Sequence, residues 1–432
     1  MRHTTLALAL AVAISGISLN AAAADNTDQQ IAELKAQLEA MQAKIAELEE
    51  RTDAQSDVNI DTSTQMADMK NAMPKVETKG GLKVTSADSK FEFSLGGRIH
   101  FDAYAFDEDL VATTDTTEFR RARLTLAGKA YGWEYKMEQD FSAGTNLDGL
   151  RDLYIAKNML GGKVTIGQFK PYRSMEELTS SNEILMMERP FSSATGIYGG
   201  RQFQQGVGYL RSADNYTLGF SAFNLRGAPT ARNEGLGAAG RFTFAPINNE
   251  NTLHFGISMS AENANSGSTN LVASAGYAGR RGPAQTIATT LGGTNGGSLT
   301  TFGLEAAGSF GPLFFQAEYL KGSFEQATTE HDVTSWYVQG SWFLNGGHKP
   351  YKSATGVFGG PKVADAGLWE LTARYDTIEN EDIINREVSS WILGVNYYIN
   401  PNLRLMFNYT KGENKVNGDE TGQYAMRTQF SF

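Results

Sequence analysis

Between Phe119 and Phe141 the chain reads FRRARLTLAGKAYGWEYKMEQDF, and taken two residues at a time it separates into two faces. Leu124 and Leu126 fall on one, with Arg121, Arg123, Thr125 and Ala127 on the other. After Tyr131-Gly132 the pattern restarts, with Trp133, Tyr135 and Met137 opposed by Glu134, Lys136, Glu138 and Asp140. Successive side chains of a strand point to opposite sides of the sheet. The stretch therefore predicts a β-hairpin with a very short turn, one apolar face and one densely charged face. Repeated around a closed sheet with aromatics on the apolar side, such alternation means lipid outside and water inside.

The alternation recurs to the end of the chain. In Phe91–Tyr104, Phe93, Leu95, Ile99 and Phe101 face outward and Glu92, Arg98, His100 and Asp102 inward. In Leu368–Asp376, Trp369, Leu371, Ala373 and Tyr375 oppose Glu370, Thr372, Arg374 and Asp376. In Leu403–Thr410, Arg404 and Met406 face inward. Connections alternate in length. Tyr131-Gly132, Gly311-Pro312 and Asn400-Pro401 are tight, whereas Asp107–Glu118, Pro171–Arg201, Asn263–Ser298 and Ser323–Asp332 are long and polar. Short turns on one side and long loops on the other mark a bacterial outer-membrane barrel. The fold class is an all-β transmembrane barrel of about sixteen antiparallel strands, ending in an alternating strand, Gln423–Phe432. Asn345–Ala366 is long where a short turn is due, so it is either an excursion at the periplasmic end or a missed hairpin. The long Asn263–Ser298 loop is expected at the surface, mobile.

The first part of the chain follows other rules. Residues 1–24 combine Arg2 and His3, the apolar run Leu6–Ile17 and the small residues Ala22–Ala24, the pattern of a secretory signal peptide cleaved after Ala23 or Ala24. In residues 25–51, Ile31, Leu34, Leu38, Met41, Ile45 and Leu48 form a heptad seam. This predicts a short N-terminal α-helical coiled coil in the periplasm, or else a single amphipathic helix lying at the barrel mouth. Residues 52–78 lose the periodicity and read as a linker. The barrel domain takes residues 79–432.

Composition narrows the chemistry. With no cysteine there is neither a disulfide framework nor a thiolate metal site. The five histidines are scattered without metal-ligand spacing, and no serine sits in a nucleophile elbow, so neither a metal, a cofactor nor a catalytic residue is predicted. Glycine pairs such as Gly292-Gly293 follow no strand-to-helix phosphate pattern, and nothing suggests nucleic acid. The net charge of −10 says little about a permeating solute, because only lumen charges act on it.

Several phrases occur in a characteristic order: EFRRARLTLAGKAYGWEYKMEQDFS, LRDLYIAKN, VTIGQFKPYRSMEELTSSNEILMMERP, GGRQFQQGVGYLRSADNYTLGFSAFN and NGGHKPY. In them the chain resembles the phosphate-selective porin O/P family over essentially all of Lys79–Phe432. The resemblance implies a homotrimer of sixteen-stranded barrels, a third loop folded into each lumen as the constriction, arginines along the outer pore and lysines near the periplasmic mouth. Carried onto this sequence, the constriction takes Lys170, Arg173, Arg189 and Arg201 from the third loop, with Arg121, Arg123 and Arg98 from the wall. The lysine cluster takes Lys79, Lys83, Lys90, Lys129, Lys136 and Lys163. Arginine suits an anion pore because its rigid fork of donors matches an oxyanion.

The expected function is passive diffusion of small hydrophilic solutes, anions such as phosphate first, across the outer membrane of a Gram-negative cell. Lipid, lipopolysaccharide and two further copies of the chain are the expected partners, with cell-wall contact through residues 25–70 as a further one. Two alternatives stand beside it. Inward acids, among them Glu134, Glu138, Asp140, Asp152, Glu305, Glu318, Glu370 and Asp376, neutralise part of the ladder in a general or weakly cation-preferring porin. In the other, the protein is chiefly an envelope tether acting through its helix.

Overall fold

The computed structural model describes residues 27–78, 80–144, 149–194, 196–198, 202–225, 235–265, 271–289, 296–327, 329–363 and 367–432. The signal segment, Lys79 and Arg201 lie outside them. The chain divides into two compact units, Met1–Met73 and Pro74–Phe432.

In the first unit a single helix, α1, runs over Thr27–Ala72, 46 residues with none buried. It continues through most of the stretch expected to be a linker. The heptad frame explains why. Carried on from Leu48 at the same spacing, it falls on Thr52, Gln55, Asn59 and Thr62, then on Met66 and Met69. Apolar periodicity fades in the middle while the frame stays in phase, and the interruption is polar rather than structural. Glycine and proline, the residues that would break it, are absent until Pro74.

The second unit is a closed barrel of sixteen antiparallel strands. They are β1 Phe91–Asp107, β2 Thr116–Ala130, β3 Trp133–Asp140, β4 Leu150–Met159, β5 Gly162–Phe169, β6 Gln204–Ser212, β7 Tyr216–Asn224 and β8 Gly235–Asn248. The circuit continues with β9 Thr252–Ala264, β10 Gly297–Phe310, β11 Leu313–Gln326, β12 Thr329–Phe343, β13 Leu368–Asn380, β14 Glu387–Tyr398, β15 Leu403–Asn414 and β16 Gly422–Ser431. Pairing of β16 with β1, from Gly422 opposite Asp107 to Ser431 opposite Arg98, closes it. Phe432 adds one more rung, its N–H donating to the Gly97 carbonyl and its carbonyl accepting from the Gly97 N–H. The outward faces carry the predicted apolar residues, Trp369, Leu371, Trp391 and Leu393 among them, all exposed. Among the described residues no helix is long and apolar enough to cross a membrane; strands do the crossing.

Tight turns behave as predicted. Tyr131 and Gly132 both have positive φ (49° and 81°), as do Leu160 and Gly161 (57° and 75°). Two consecutive left-handed residues suit the twist of a two-residue hairpin. The expected long Ser323–Asp332 loop is instead strand: β11 and β12 stay paired out to Gln326 opposite Thr329. Polar sequence there does not mean a loop, because above the membrane a hairpin has water on both faces.

Three connections fold inward and fill much of the lumen. The third outer loop, between β5 and β6, enters from the long-loop end. The Asn263–Ser298 connection, expected as a mobile surface loop, carries a hairpin, Val272–Gly276 paired with Ala284–Thr289. Its Ala273, Ala275, Tyr277 and Ile287 are buried in one cluster with Phe191, Ile197 and Tyr198 of the third loop. From the opposite end comes the 344–367 connection. It is an excursion that itself holds a small hairpin, Tyr351–Lys352 with Val357–Phe358. Val357 and Phe358 pack on Met175 and Leu185 of the third loop, and Lys349 Nζ donates to the Glu183 carbonyl at 2.9 Å.

Candidate functional site

The third loop is held by the wall it lies against. Its segment Ile184–Arg189 is mostly apolar, yet it crosses a polar lumen because inward arginines take its carbonyls. Arg404 donates to Ile184 O and Leu185 O (both 3.1 Å), Arg427 to Met187 O (2.5 Å) and Arg374 to Glu188 O (2.9 Å). Asn408 accepts from the Met187 N–H at 2.8 Å. At the start of the loop, Ser174 caps a single helical turn, Met175–Leu178. Glu318 accepts from the Met175 and Glu176 N–H groups at 2.7 and 3.1 Å, and Glu305 from Met175 at 3.0 Å. These two inward acids are therefore occupied in seating the loop.

Between loop and wall lies a cavity of about 250 Å³ lined by Arg120, Arg121, Arg123, Arg151, Arg173 and Arg189, with Glu177 and Glu188. Four of these arginines were predicted: Arg121, Arg123, Arg173 and Arg189. Their surroundings differ. Arg123 is paired with Glu138 (2.7 Å) and Asp140 (2.8 Å). Arg173 is held by Glu177 (2.8 Å) and Glu262 (2.5 Å) under the Tyr198 ring. Arg189 donates to the carbonyls of Glu176 and Thr179. Arg121 stands apart. It is buried, its closest carboxylate is Glu188 at 4.0 Å, its contact with His100 Nδ1 is 3.4 Å, and its Nε has no hydrogen-bond partner. A buried guanidinium so poorly satisfied and lining a cavity still has a donor to offer there.

Arg120 was missed. Strict alternation from Leu124 and Leu126 sends it outward. Instead the β1–β2 register shifts: Arg121 opposes His100, but Phe119, not Arg120, opposes Phe101. Arg120 is the extra residue of a β-bulge, so it turns inward beside Arg121 while Phe119 faces outward, exposed. A charged side chain on the lipid face would cost about 2–4 kcal/mol at mid-membrane, which favours the bulge. A Phe-Arg-Arg run breaking alternation at an outward position is the signal that would have found it. Arg151, also missed, bridges to Asp140 at 3.3 Å.

Glu188 sits among the arginines. Arg120 grips it with two hydrogen bonds, 2.7 and 2.9 Å, and Arg427 reaches it at 3.0 Å. Burial opposes its charge, but Arg120 and Arg121 outweigh that and hold the carboxyl well below the usual carboxylate range. Glu188 also lines a wider outer vestibule with Arg120, Arg189, Arg280, Arg281 and Arg374. Arg280 and Arg281, from the inward-folded hairpin loop, are tied to Glu118 at the mouth.

On the short-turn side a third cavity, about 850 Å³, is lined by Lys136, Lys163 and Lys170. The Phe203 ring lies within cation–π range of both Lys170 and Arg151, at the step between arginines and lysines. Lys83, Lys90 and Lys129 do not line this cavity. Lys83 pairs with Glu92 at 3.0 Å, Lys90 with Asp88 at 3.3 Å, and Lys129 lies 4.0 Å from Glu134. Lys136 and Lys163 are themselves bridged, to Asp152 at 2.5 Å and Glu134 at 2.8 Å. Arg98 does not line the arginine cavity; it binds Glu138, Ser180 and Ser181, fastening the loop to β1. Among the described residues no cluster has the makings of a metal site.

The family model described as phosphate-selective porin O and P matches residues 93–432. Porin O of Pseudomonas aeruginosa is 29% identical over 411 residues, covering 83% of this chain and 92% of that protein. Two solved structures share the fold. The anion-selective porin from Comamonas acidovorans has a TM-score of 0.55 at 13% identity, covering 79% of this chain and 100% of that one. The trimer form of OmpT from Vibrio cholerae has a TM-score of 0.50 at 14% identity, covering 79% and 99%.

Proposed function

The chain belongs to the phosphate-selective porin O and P family and is an outer-membrane channel for small solutes, and within that frame we propose that it selects anions and takes oxyanions such as phosphate at Arg121. The observation that carries this is the imbalance at the arginine cavity: six arginines against two glutamates on its lining, with the Arg121 guanidinium left largely unsatisfied. Arginines above and lysines below give a permeating anion cationic groups from mouth to periplasm. Pairing of most of them with acids keeps each site weak enough to let go, as conduction requires. The inward acids that argued for a cation pore are largely spent elsewhere: Glu305 and Glu318 cap the third loop, and Glu370 accepts from Asn396 and Tyr398.

The test is the zero-current potential of the purified protein in a planar bilayer under a potassium chloride gradient, followed by phosphate on one side. Anion selectivity and block of the chloride current by submillimolar phosphate are expected. A cation-selective pore, or one indifferent to phosphate, would sink the proposal.

The same reading makes the protein a homotrimer in lipid and lipopolysaccharide with the helix on the periplasmic side. Strands β3 to β7 have only 8 to 10 residues, against 12 to 17 elsewhere except in the closing strand β16, which has 10. About 9–11 tilted residues are needed to cross the hydrocarbon. The wall is low there, and Gln139 and Gln205 occupy outward positions near its upper edge. Loop backbone at that height needs protein rather than lipid beside it, and a neighbouring barrel supplies it. The exposed α1 seam of Ile31, Leu34, Leu38, Met41, Ile45 and Leu48 gives three copies a second contact. Deleting residues 27–72 should lower the temperature at which the trimer dissociates in detergent. An unchanged trimer with altered envelope integrity would favour the tether instead.

A further inference from the structure

The third loop places a carboxylate in the path the anion would take. Glu188 lines both the outer vestibule and the arginine cavity, and its side chain is 24% exposed. Its contacts are with guanidiniums: Arg120 at 2.7 Å, Arg427 at 3.0 Å and Arg121 at 4.0 Å. These are the groups an incoming oxyanion would use.

The loop has anchors here that do not use that carboxylate. The backbone on both sides is fixed from the wall, through Arg427 to Met187 O, Arg374 to Glu188 O, and Met187 N–H to Asn408. Arg427 keeps Asp102 as a second partner, with two bonds of 2.7 Å. Arg120, by contrast, has no other carboxylate within 4.0 Å among the described residues. If Glu188 swings away, Arg120 loses its partner and Arg427 does not. The fork that Arg120 presents to Glu188 is thus the one that changes hands.

We propose that Glu188 is a tethered anion: it occupies the outer half of the oxyanion site, exchanges with the permeating ion, and so sets how tightly polyvalent oxyanions are held and how fast they leave. The inference rests on the anion-pore reading above and adds a specific device to it. Arg120 and Arg121 together, with no resident carboxylate, would hold a doubly charged oxyanion too firmly for flux. A carboxylate on a short tether repels the bound ion and reclaims Arg120 as it leaves. Chloride, with one charge and no planar pair of acceptors, competes with it far less well.

The experiment is the bilayer measurement on the full chain with Glu188→Gln and Glu188→Asp, using inorganic phosphate as probe. In Glu188→Gln, half-block of the chloride current should move to phosphate concentrations at least about tenfold lower, with longer blocked dwells, as expected on removing a close like charge. Glu188→Asp keeps the charge but draws it back from Arg120, and should fall between wild type and Glu188→Gln. Block that is unchanged or weakened in Glu188→Gln overturns the inference. So does a noisy, enlarged open level, because Glu188 would then be a strut for the loop. Should Glu188→Gln fail to assemble, Glu188→Asp decides: wild-type block by phosphate rejects the exchange. Failure of the anion-pore reading is read separately, from the wild-type protein alone.

Discussion

Arg121→Gln should weaken phosphate block of the chloride current by about ten- to a hundredfold and pull the zero-current potential toward that of an unselective pore. The magnitude follows from removing one charge-assisted donor set, worth about 1.5–3 kcal/mol, where each 1.4 kcal/mol is tenfold. Arg121 is singled out because its charge is the least spent. Arg123 is matched by two acids and Arg173 by two more. Arg121 has one carboxylate, at 4.0 Å. Neutralising it should leave no buried acid stranded, so the barrel should assemble as before. Arg121→Lys separates two contributions. It keeps the charge and hence much of the selectivity, but loses the planar fork, so phosphate block should weaken more than chloride selectivity does. Arg123→Gln is the contrast: stranding Glu138 and Asp140 should show first as lost assembly. If Arg121→Gln conducts and is blocked like wild type, the oxyanion seat is elsewhere.

Much of this was legible from alternation alone. The hairpin Phe119–Phe141, its turn at Tyr131-Gly132 and the closing strand ending at Phe432 follow directly from which residues tolerate lipid. Alternation assigns a side chain to a face; it does not say where inward side chains meet. Glu305 and Glu318 read as lumen acids, yet both lie under the third loop and cap its helical turn. Arg374 and Arg404 read as lumen cations, yet both hold loop carbonyls. Those roles depend on loops that enter the lumen, a long-range event with no local periodicity. The 344–367 connection hints at it only by being long where a short turn is due. Arg120 is hidden for the opposite reason: a local irregularity, one bulged residue, interrupts the alternation. In α1 the polar Thr52, Gln55, Asn59 and Thr62 resemble the end of a helix, because apolar residues alone do not carry the coiled-coil frame through them.

The second large effect concerns what keeps the third loop inside. Arg173 is 1% exposed, binds Glu177 across one helical turn and ties the loop to Glu262 of β9. Arg173→Met keeps most of the stem beneath Tyr198 but withdraws the guanidinium from two buried carboxylates. Breaking a buried ion pair from one side costs about 3–5 kcal/mol, far more than an exposed bridge such as Lys415 to Glu387 contributes. The first turn of the loop, left with its caps on Glu305 and Glu318, the Gln316–Glu176 bond and the packing of Met175, should then loosen from the wall. The expected signature is a larger and flickering single-channel conductance, together with cleavage of the loop by protease added from the outer side. Restoring neutrality tests the cause. In Arg173→Met combined with Glu177→Gln and Glu262→Gln no buried charge is stranded, and the loop should return toward its quiet, protected state even though three polar links are lost. Were the single substitution silent, the Arg173 cluster would not be the loop's anchor. Were the triple no better than the single, the loop would depend on the specific bonds of Arg173 rather than on charge balance.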